Sequence, residues 1–468
     1  MTRTFHISRS WLPRAALVAL VALLGACSTN PATITDIPAG TAGKRSGPQI
    51  EHWQTKSGTR VLFVAAPQLP MLDLQVVFDA GSARDDGKGG LAVMTNSMLS
   101  EGAGELDATA IAQRFENVGA RFGSSAQRDT ATLKLRSLTD PALLRPALDT
   151  FLLLLKSPTF PQDSFTRLQN QMLVGLKAEQ ESLDDLSDNA LYRAVFGSHP
   201  YGRPVNGEEA TVKSLSRDDA AAFFHRYYVA QNAIIAIIGA IDRAQAEQMA
   251  EQVSASMQIG AAAPALPAVA ALSAAETVSI RHPSQQTHVL LGQPGMPRND
   301  PDFFPLYVGN HIIGGNGLVS RLADEIREKR GLSYSTYSYF APMRVAGPFV
   351  LGLQTRNDQA DVARQLMAQV LADFRDKGPD AKELEAAKLN ITGGFPLRVA
   401  SNGKIADYLA LIGFYNLPLD YLETFTEKVN AVTAEQIRDA FQRRVTPDRM
   451  ITVIVGGGVP AQVSDARP

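Results

Sequence analysis

The second half of this chain repeats the first, and that repeat limits the possible folds more than any other feature. Residues 215–239 (LSRDDAAAFFHRYYVAQNAIIAIIG) align without a gap to residues 432–456 (VTAEQIRDAFQRRVTPDRMITVIVG), which lie 217 positions later. Each segment has the pattern of a capped amphipathic helix followed by an apolar strand. Further pairs keep the same order at nearly the same offset: Gly81 with Gly295, Gly119 with Gly331, and Pro161 with Pro379. Two homologous domains explain these pairs better than one large domain with a chance resemblance.

Each domain is expected to be α+β, a mainly antiparallel sheet with helices packed on one face. The first domain is assigned to residues 49–259, the Ala- and Pro-rich linker to 260–272, the second domain to 273–458 and a tail to 459–468. In the first domain the apolar spacing predicts strands and helices, the strands at 59–65, 72–78, 130–138 and 233–238 and the helices at 91–99, 107–118, 141–155, 163–181, 188–196, 216–228 and 243–257.

The N-terminus has the pattern of an export signal. Three arginines precede the uncharged run at 15–26 (AALVALVALLGA), which is short for a membrane span but has the length of a signal-peptide core. Residues 1–26 are therefore predicted to be a signal peptide. The Thr-, Pro- and Gly-rich residues after it, 27–48, have no periodic apolar face and are predicted to be a flexible tether.

Cys27, which ends the sequence LGAC, is the single cysteine of the 468 residues. A lone thiol excludes internal disulfides, Cys-ligated zinc and, once it is acylated, a thiol nucleophile. LGAC resembles the lipobox of bacterial lipoproteins, which implies acylation of Cys27 and a lipid anchor in the periplasm. Ser28 after it implies the outer membrane by the same resemblance. With 45 basic and 47 acidic side chains and no basic cluster, no nucleic-acid partner is expected.

Residues 318–340 (LVSRLADEIREKRGLSYSTYSYF) hold several chemically demanding side chains at a fixed spacing. Ser320 can cap a helix that ends at Gly331, and the residues after it alternate like a strand. Such a corner can bring the guanidinium of Arg327 and the phenol of Tyr334 together, which suits binding a peptide carbonyl or its oxyanion. The spacing alone favours a plainer interpretation: a solvated charge run, and tyrosines that pack on a sheet face.

Several motifs together resemble the insulysin/pitrilysin family of zinc metallopeptidases, in particular its bacterial branch similar to the mitochondrial processing peptidase. The resemblance covers residues 50–458. The motifs are DAGSARDDGKGGLA (79–92), HPYGRP (199–204), RYY with NAIIAIIG (226–239), GGNGLVSRLADEIREKRGLSYS (314–335) and GGFPLRVASNGKIADYL (393–409). The family implies a pair of similar α+β domains that form half of a clamshell, in agreement with the repeat.

The zinc motif of that family, His-x-x-Glu-His, is expected on the helix after GGLA, where this chain has Val93, Asn96 and Ser97. Valine has no lone pair, and an amide replaces the carboxylate that activates the metal-bound water. Glu179 and Glu181 lie where the family supplies its distal glutamate ligand, but one carboxylate does not hold zinc. No metal or other cofactor is therefore expected in this chain.

Two histidines lie in family motifs without a partner at metal-ligand spacing. His199 belongs to the HPYG turn, and His311 lies on the second domain's counterpart of the zinc helix. Both are interpreted as structural.

The resemblance reverses the interpretation of Arg327 and Tyr334. In active members an arginine and a tyrosine seven residues apart reach across the chamber to the substrate, and these two residues match that pair in type and spacing. In the two-chain branch one subunit carries zinc and the other carries the pair. The resemblance therefore implies a zinc-free subunit of a heterodimeric periplasmic metallopeptidase that acts on peptides. Zinc is expected in the homologous partner. The peptide is expected to bind the first sheet as an added strand. The alternative is a non-catalytic peptide-binding or scaffolding lipoprotein on the same fold.

Overall fold

The computed structural model describes residues 48–457. The predicted signal peptide, Cys27, all but the last residue of the predicted tether, and the predicted tail lie outside this range. No helix between residues 48 and 457 has the length and apolar character needed to cross a membrane.

The first domain is built on a mixed sheet. Its strands are β1 (Glu51–Gln54), β2 (Arg60–Ala65), β3 (Met71–Phe78), β4 (Gly102–Ala103), β5 (Leu106–Asp107), β6 (Arg121–Ala126), β7 (Ala131–Leu138) and β8 (Ala233–Gly239). The sheet has the order β1-β2-β8-β3-β7-β6, while β4 and β5 pair with each other. The pair β2 and β8 is parallel and the other pairs are antiparallel.

Helices cover one face of this sheet and enclose the core of the first domain. The helices of this half of the chain are α1 (Leu91–Met98), α2 (Ala108–Glu116), α3 (Pro141–Lys156), α4 (Gln162–Glu181), α5 (Leu183–Phe196), α6 (Glu209–Ser214), α7 (Arg217–Tyr227) and α8 (Arg243–Ser256), and α5 lies away from this core. The predicted helices are confirmed to within a few residues at most ends. α5 begins five residues earlier than predicted because the Ser182 hydroxyl accepts the Asp185 N–H and caps it there.

The second domain repeats this plan with the sheet order β11-β12-β10-β13-β9. The strands are β9 (Glu276–His282), β10 (Gln286–Pro294), β11 (Ser333–Phe340), β12 (Pro348–Arg356) and β13 (Ile451–Gly457). The helices are α9 (Phe303–Asn310), α10 (Ala360–Lys377), α11 (Ala381–Arg398), α12 (Asn402–Tyr415), α13 (Tyr421–Ala431) and α14 (Ala434–Arg444). Residues 259–275, which connect the two sheets, form neither helix nor strand.

The sequence repeat corresponds to equivalent structure. α7 and α14 each begin with a reciprocal capping box, formed by Ser216 with Asp219 and by Thr433 with Gln436, and each leads into a buried strand, β8 or β13. That strand pairs in parallel with the first long strand of its own domain, β2 or β9. Two homologous α+β domains with mainly antiparallel sheets are therefore confirmed.

Each domain also covers the second face of the other domain's sheet with one helix. α12 packs across β2, β3 and β8 of the first sheet, and α5 packs across β10 and β13 of the second. Both contacts depend on glycine, because a Cβ at Gly413 would lie 2.5 Å from Ile234 Cγ2, and one at Gly292 would lie 2.7 Å from Leu191 Cδ1. The two sheets are thus held together by reciprocal helix packing.

Gly413→Ala should lower the stability of the whole chain, because the new methyl group meets Ile234 and Leu62 at sub-contact distances. Overpacking of this kind costs about 1–3 kcal/mol, more than the helix propensity gained. The matched control is Gly175→Ala in α4, where a Cβ has open space and should raise stability slightly. Thermal unfolding of both variants measures the difference, and equal melting temperatures would contradict the packing described for α12.

Candidate functional site

The start of α1 is fixed by a buried carboxylate. Asp85 is 2% exposed and accepts the backbone N–H groups of Gly90 (2.9 Å) and Ala92 (2.8 Å). Gly90 has φ 90°, a left-handed conformation that suits glycine, and it turns the chain into the helix. Burial raises the pKa of Asp85 to about 7, while its two backbone N–H bonds act in the opposite direction. The DDGKGG sequence therefore sets the position and direction of α1.

The residues at the three predicted zinc positions do not converge. Val93 and Ser97 are four residues apart on one half-exposed face of α1, but Asn96 is 1% exposed and belongs to the core. Its Nδ2 donates to the hydroxyl of Tyr228 at 3.1 Å. Asn96 is therefore an internal hydrogen-bonding group, turned away from the place where a catalytic base would have to act.

Ser97 and Glu179 line the same cavity of about 300 Å³, together with Met172 and Asn206. The Glu179 carboxylate accepts a hydrogen bond from Asn206 Nδ2 at 2.7 Å, and Glu181 is exposed at the end of α4. The fold thus brings one carboxylate to the α1 face, but the other groups there that could ligate a metal are a hydroxyl and amides. Within residues 48–457 no three His, Cys, Asp or Glu side chains are grouped so that they could hold a metal ion. The residues present do not fit zinc.

Both histidines named above have structural surroundings. His199 Nδ1 accepts the N–H of Tyr201 at 3.1 Å, and its Nε2 lies 3.0 Å from the carbonyl oxygen of Pro267 in the connection between the sheets. His311 begins a π-helical turn after α9, and burial together with the nearby charge of Arg398 lowers its pKa.

The motif around His199 also leads to a residue that sequence reasoning missed. Asp129, in the turn between β6 and β7, is 5% exposed and accepts the hydroxyl of Tyr201 at 2.5 Å. It also accepts two hydrogen bonds from the second domain, one from the hydroxyl of Tyr415 (3.0 Å) and one from the backbone N–H of Arg344 (2.8 Å). One buried carboxylate therefore joins the HPYG turn to the end of α12. The sequence offers no signal for it, because the donors lie far along the chain.

The corner between residues 320 and 333 forms as the sequence predicts. Ser320 Oγ accepts the N–H of Ala323 at 3.3 Å, the helical segment continues through residues 323–328 with π-helical geometry, and Gly331 ends it with φ 61°. β11 follows as an edge strand of the second sheet. Arg327 and Tyr334 therefore lie on the two sides of this corner.

Tyr334 occupies an irregularity in the β11–β12 ladder. Ser333 pairs with Thr355 and Ser335 with the adjacent Gln354, so Tyr334 is the extra residue of a β-bulge. A bulge redirects a side chain, and Tyr334 is 87% exposed with no hydrogen-bond partner for its hydroxyl between residues 48 and 457. The tyrosines further along β11, Tyr337 and Tyr339, are half-buried and stacked. The plainer interpretation of packed tyrosines fits those two and does not fit Tyr334.

The charge run around Arg327 is partly a set of solvated ion pairs. Lys329 contacts Glu325 at 2.6 Å, and Arg330 contacts the same carboxylate at 2.7 Å. Arg327 is outside this set, because its nearest carboxylate is that of Glu328, at 3.4 Å from Nε. In the described part of the chain its guanidinium makes no hydrogen bond to a protein acceptor, so its donors are available to a ligand.

Comparison with known families identifies the fold. The model for "Insulinase (Peptidase family M16)" matches residues 60–209, and the model for "Peptidase M16 inactive domain" matches residues 214–391. The chain belongs to the M16 peptidase family. The resemblance read from the sequence motifs is thereby confirmed.

Relatives among curated proteins match most of the chain. A Bacillus subtilis protein named "Uncharacterized zinc protease YmxG" is 24% identical over 417 residues, which cover 87% of this chain and 99% of the relative. A Helicobacter pylori protein named "Non-peptidase homolog YmxG" is 26% identical over 377 residues, covering 79% and 85%. M16 proteins similar to this chain thus carry both peptidase and non-peptidase names.

Solved structures agree with the fold. The crystal structure of a peptidase M16 inactive domain from Pseudomonas fluorescens is 40% identical, covers 87% of this chain and 98% of that one, and superimposes with a TM-score of 0.84. A protease from Helicobacter pylori is 18% identical with a TM-score of 0.81, over 87% of this chain and all of that one, and supports the fold alone. One of these two solved structures is thus titled an inactive domain and the other a protease.

Purified chain should hold no stoichiometric zinc, because Val93 and Ser97 offer no imidazole and Asn96 is bonded inside the core. The measurement is metal analysis by mass spectrometry after dialysis against a weak chelator. Val93→His with Ser97→His is the comparison variant, which adds two ligands to the Glu179 side of α1 and should bind more zinc than the wild type. One tightly held zinc per wild-type chain would contradict the prediction.

Proposed function

We propose that this M16 chain is the zinc-free subunit of a heterodimeric metallopeptidase that acts on peptides in the periplasm. The observation that carries the proposal is an asymmetry within one chain. The α1 face has Val93 and Ser97 in place of metal ligands, while Tyr334 is exposed and Arg327 is half-buried with Glu328, at 3.4 Å, as its one ion-pair contact in residues 48–457. Tyr334 stands on a strand bulge and is 87% exposed, so its hydroxyl can contact a substrate held by the complex.

The partner in this proposal is a homologous M16 subunit that supplies zinc, the general base and the attacking water. Arg327 would orient the substrate carbonyl, and Tyr334 would donate to the oxyanion that develops in the tetrahedral intermediate. A guanidinium and a phenol hydroxyl suit this task because both donate strongly and neither accepts a proton near neutral pH. The chain alone is expected to be inert, since it lacks a group that activates water.

Peptide binding is assigned to the first sheet. β6 is an edge strand, and within residues 48–457 no strand pairs with its outer side. An extended peptide can add there through backbone hydrogen bonds. The same edge lies beside α1, so a peptide held there would pass close to the face that carries Val93 and Ser97.

The alternative is a peptide-binding or scaffolding lipoprotein without any part in catalysis, and the name of the Helicobacter pylori relative favours it. On that alternative Arg327 and Tyr334 would contribute to assembly or to nothing measurable. The two functions therefore differ in what substitution of this pair does to turnover in an intact complex.

Arg327→Ala and Tyr334→Phe should leave the heterodimer assembled and lower its kcat, each by roughly a hundredfold if each removes one oxyanion donor. The matched controls are Arg330→Ala, which removes a solvated ion pair in the same charge run, and Tyr337→Phe on the same strand. Both controls should retain near-normal turnover. The measurement is steady-state peptide cleavage, with assembly checked by size-exclusion chromatography.

Normal turnover by an assembled complex that carries both substitutions would reject the catalytic role and favour the scaffolding function. Loss of assembly in either variant would reject the catalytic role of that side chain, which would then be structural. If turnover fell equally in the two control variants, the activity would depend on the whole segment around the corner and not on Arg327 and Tyr334 in particular.

Localisation to the periplasm with a lipid anchor, at the outer membrane, is part of the same proposal and rests on LGAC at residues 24–27 with Ser28 after it. Cys27→Ala should release the chain from membranes in the absence of a partner, because one acylated cysteine supplies the anchor. Fractionation with labelling by a radioactive fatty acid tests this. A Cys27→Ala protein that still sediments with membranes would place the anchor elsewhere.

A further inference from the structure

A groove on the first sheet carries uncompensated positive charge beside the unpaired edge of β6. It has a volume of about 330 Å³ and is lined by β3, β6, β7 and the start of α12. Its charged side chains are Asp73, Arg121, Lys134, Arg136 and Asp407. Leu133 and Leu135 of β7 point into the core of the first domain, so the alternate residues Lys134 and Arg136 face the groove on the other side of the sheet.

One row across the sheet places two guanidinium groups side by side. Arg136 on β7 pairs with Asp73 on β3 and, on its other side, with Arg121 on β6. Arg136 Nε donates to Asp73 Oδ1 at 2.8 Å, which neutralises that charge. Arg121 is exposed and has no acidic partner between residues 48 and 457. Like charges directly opposite each other on a sheet are unfavourable unless an anion comes between them.

The next row leaves room for a side chain from outside. It contains Gln75, Lys134 and Gly123, in neighbouring positions on β3, β7 and β6. Asp407 accepts hydrogen bonds from both Lys134 Nζ (2.6 Å) and Gln75 Nε2 (2.8 Å), so its charge is already matched. A Cβ at Gly123 would meet nothing within 4 Å, so the edge of the sheet is open there. The groove is thus reached from the outer side of β6, next to Arg121.

We propose that this groove selects an acidic side chain, Asp or Glu, in a peptide that adds to β6 as a strand. The inference rests on the peptide binding in the proposed function and specifies the substrate class. A peptide paired with β6 would place alternate side chains opposite Arg121 and Gly123, on the groove face. A peptide carboxylate at this position can accept two hydrogen bonds from the guanidinium of Arg121, and its negative charge then lies between Arg121 and Arg136.

A basic side chain would find no equivalent partner. Both carboxylates of the groove are already paired with Arg136 and Lys134, and Asp73 is only 7% exposed, so its second oxygen, which lacks a hydrogen-bond partner, is closed to a ligand. Desolvating a Lys or Arg beside three cations is unfavourable. The groove therefore discriminates by charge sign as well as by hydrogen bonding.

The test measures binding of short fluorescent peptides to the full chain by fluorescence anisotropy. The peptides are extended hosts of one neutral sequence that differ at a single position, which holds Glu, Gln or Lys. Two series place that residue at adjacent positions, because alternate side chains of an added strand face opposite sides. In one series the Glu peptide should bind about tenfold more tightly than the Gln peptide and the Lys peptide most weakly, and high salt should reduce the difference.

Arg121→Gln should abolish the preference for Glu over Gln while leaving the affinity for the Gln peptide unchanged. Arg145→Gln is the matched control, an exposed arginine on α3, which packs on the opposite face of the same sheet. Gly123→Leu, whose Cβ would meet nothing within 4 Å, fills the open edge with an apolar side chain and should weaken the Glu peptide most. Circular dichroism and melting temperature confirm that each variant is folded.

Equal affinity for Glu, Gln and Lys peptides in both series would overturn the proposal, as would a Glu preference that survives Arg121→Gln. Absence of binding by any peptide would overturn it together with strand addition at β6. The assay does not measure cleavage, so an inactive heterodimer would reject the proposed function and leave a charge-selective groove standing. An active heterodimer whose zinc-free chain shows no charge preference would reject the groove alone.

Discussion

The structure depends first on the reciprocal packing of one helix from each domain on the other domain's sheet. α12 covers the second face of the first sheet and α5 covers that of the second, with glycine at both close approaches. Any apolar face of a sheet must be covered by another element, whereas a polar face can remain in water. The exchange supplies that cover and fixes the two domains relative to each other, and the buried Asp129 adds a polar connection at the end of α12. The α1 face, the β6 edge and the Arg327 corner therefore lie on one rigid support.

The two domains carry different functional groups. The first domain presents an α1 face without metal ligands, an unpaired strand edge and a groove with excess positive charge. The second presents a helix-to-strand corner with the half-buried guanidinium of Arg327, which contacts Glu328, and the exposed phenol of Tyr334. In the proposed function these features hold a peptide and stabilise negative charge on it, and a second chain would activate the water. The assignment to the M16 family, with a match to its inactive domain, agrees with that division of labour.

Much of the fold could be predicted from the sequence because its determinants are local or repeated. Apolar spacing gave the long strands and helices of the first domain, and the aligned capping boxes of α7 and α14 revealed the repeat. The helix exchange, the bond between Asn96 and Tyr228 and the contacts of Asp129 join residues far apart in sequence, and no local pattern encodes them. The bulge at Tyr334 was also missed, although the sequence carries a signal for it: Tyr334 and Tyr337 are three residues apart, whereas Tyr337 and Tyr339 are two apart, so the alternation is interrupted. The placement of Arg327 and Tyr334 on the two sides of a helix-to-strand corner was predicted from the residue pattern, whereas their roles came from the family resemblance and are proposals.

The central claim is that the peptidase machinery is divided between two chains. Its most direct measurement is a titration of a fixed amount of a homologous zinc-bearing M16 subunit with this chain, followed by the rate of peptide cleavage. If the claim is correct, each protein alone is inert and the rate rises linearly to a break at an equimolar ratio. A zinc-bearing subunit that is fully active alone and unaffected by this chain would contradict it.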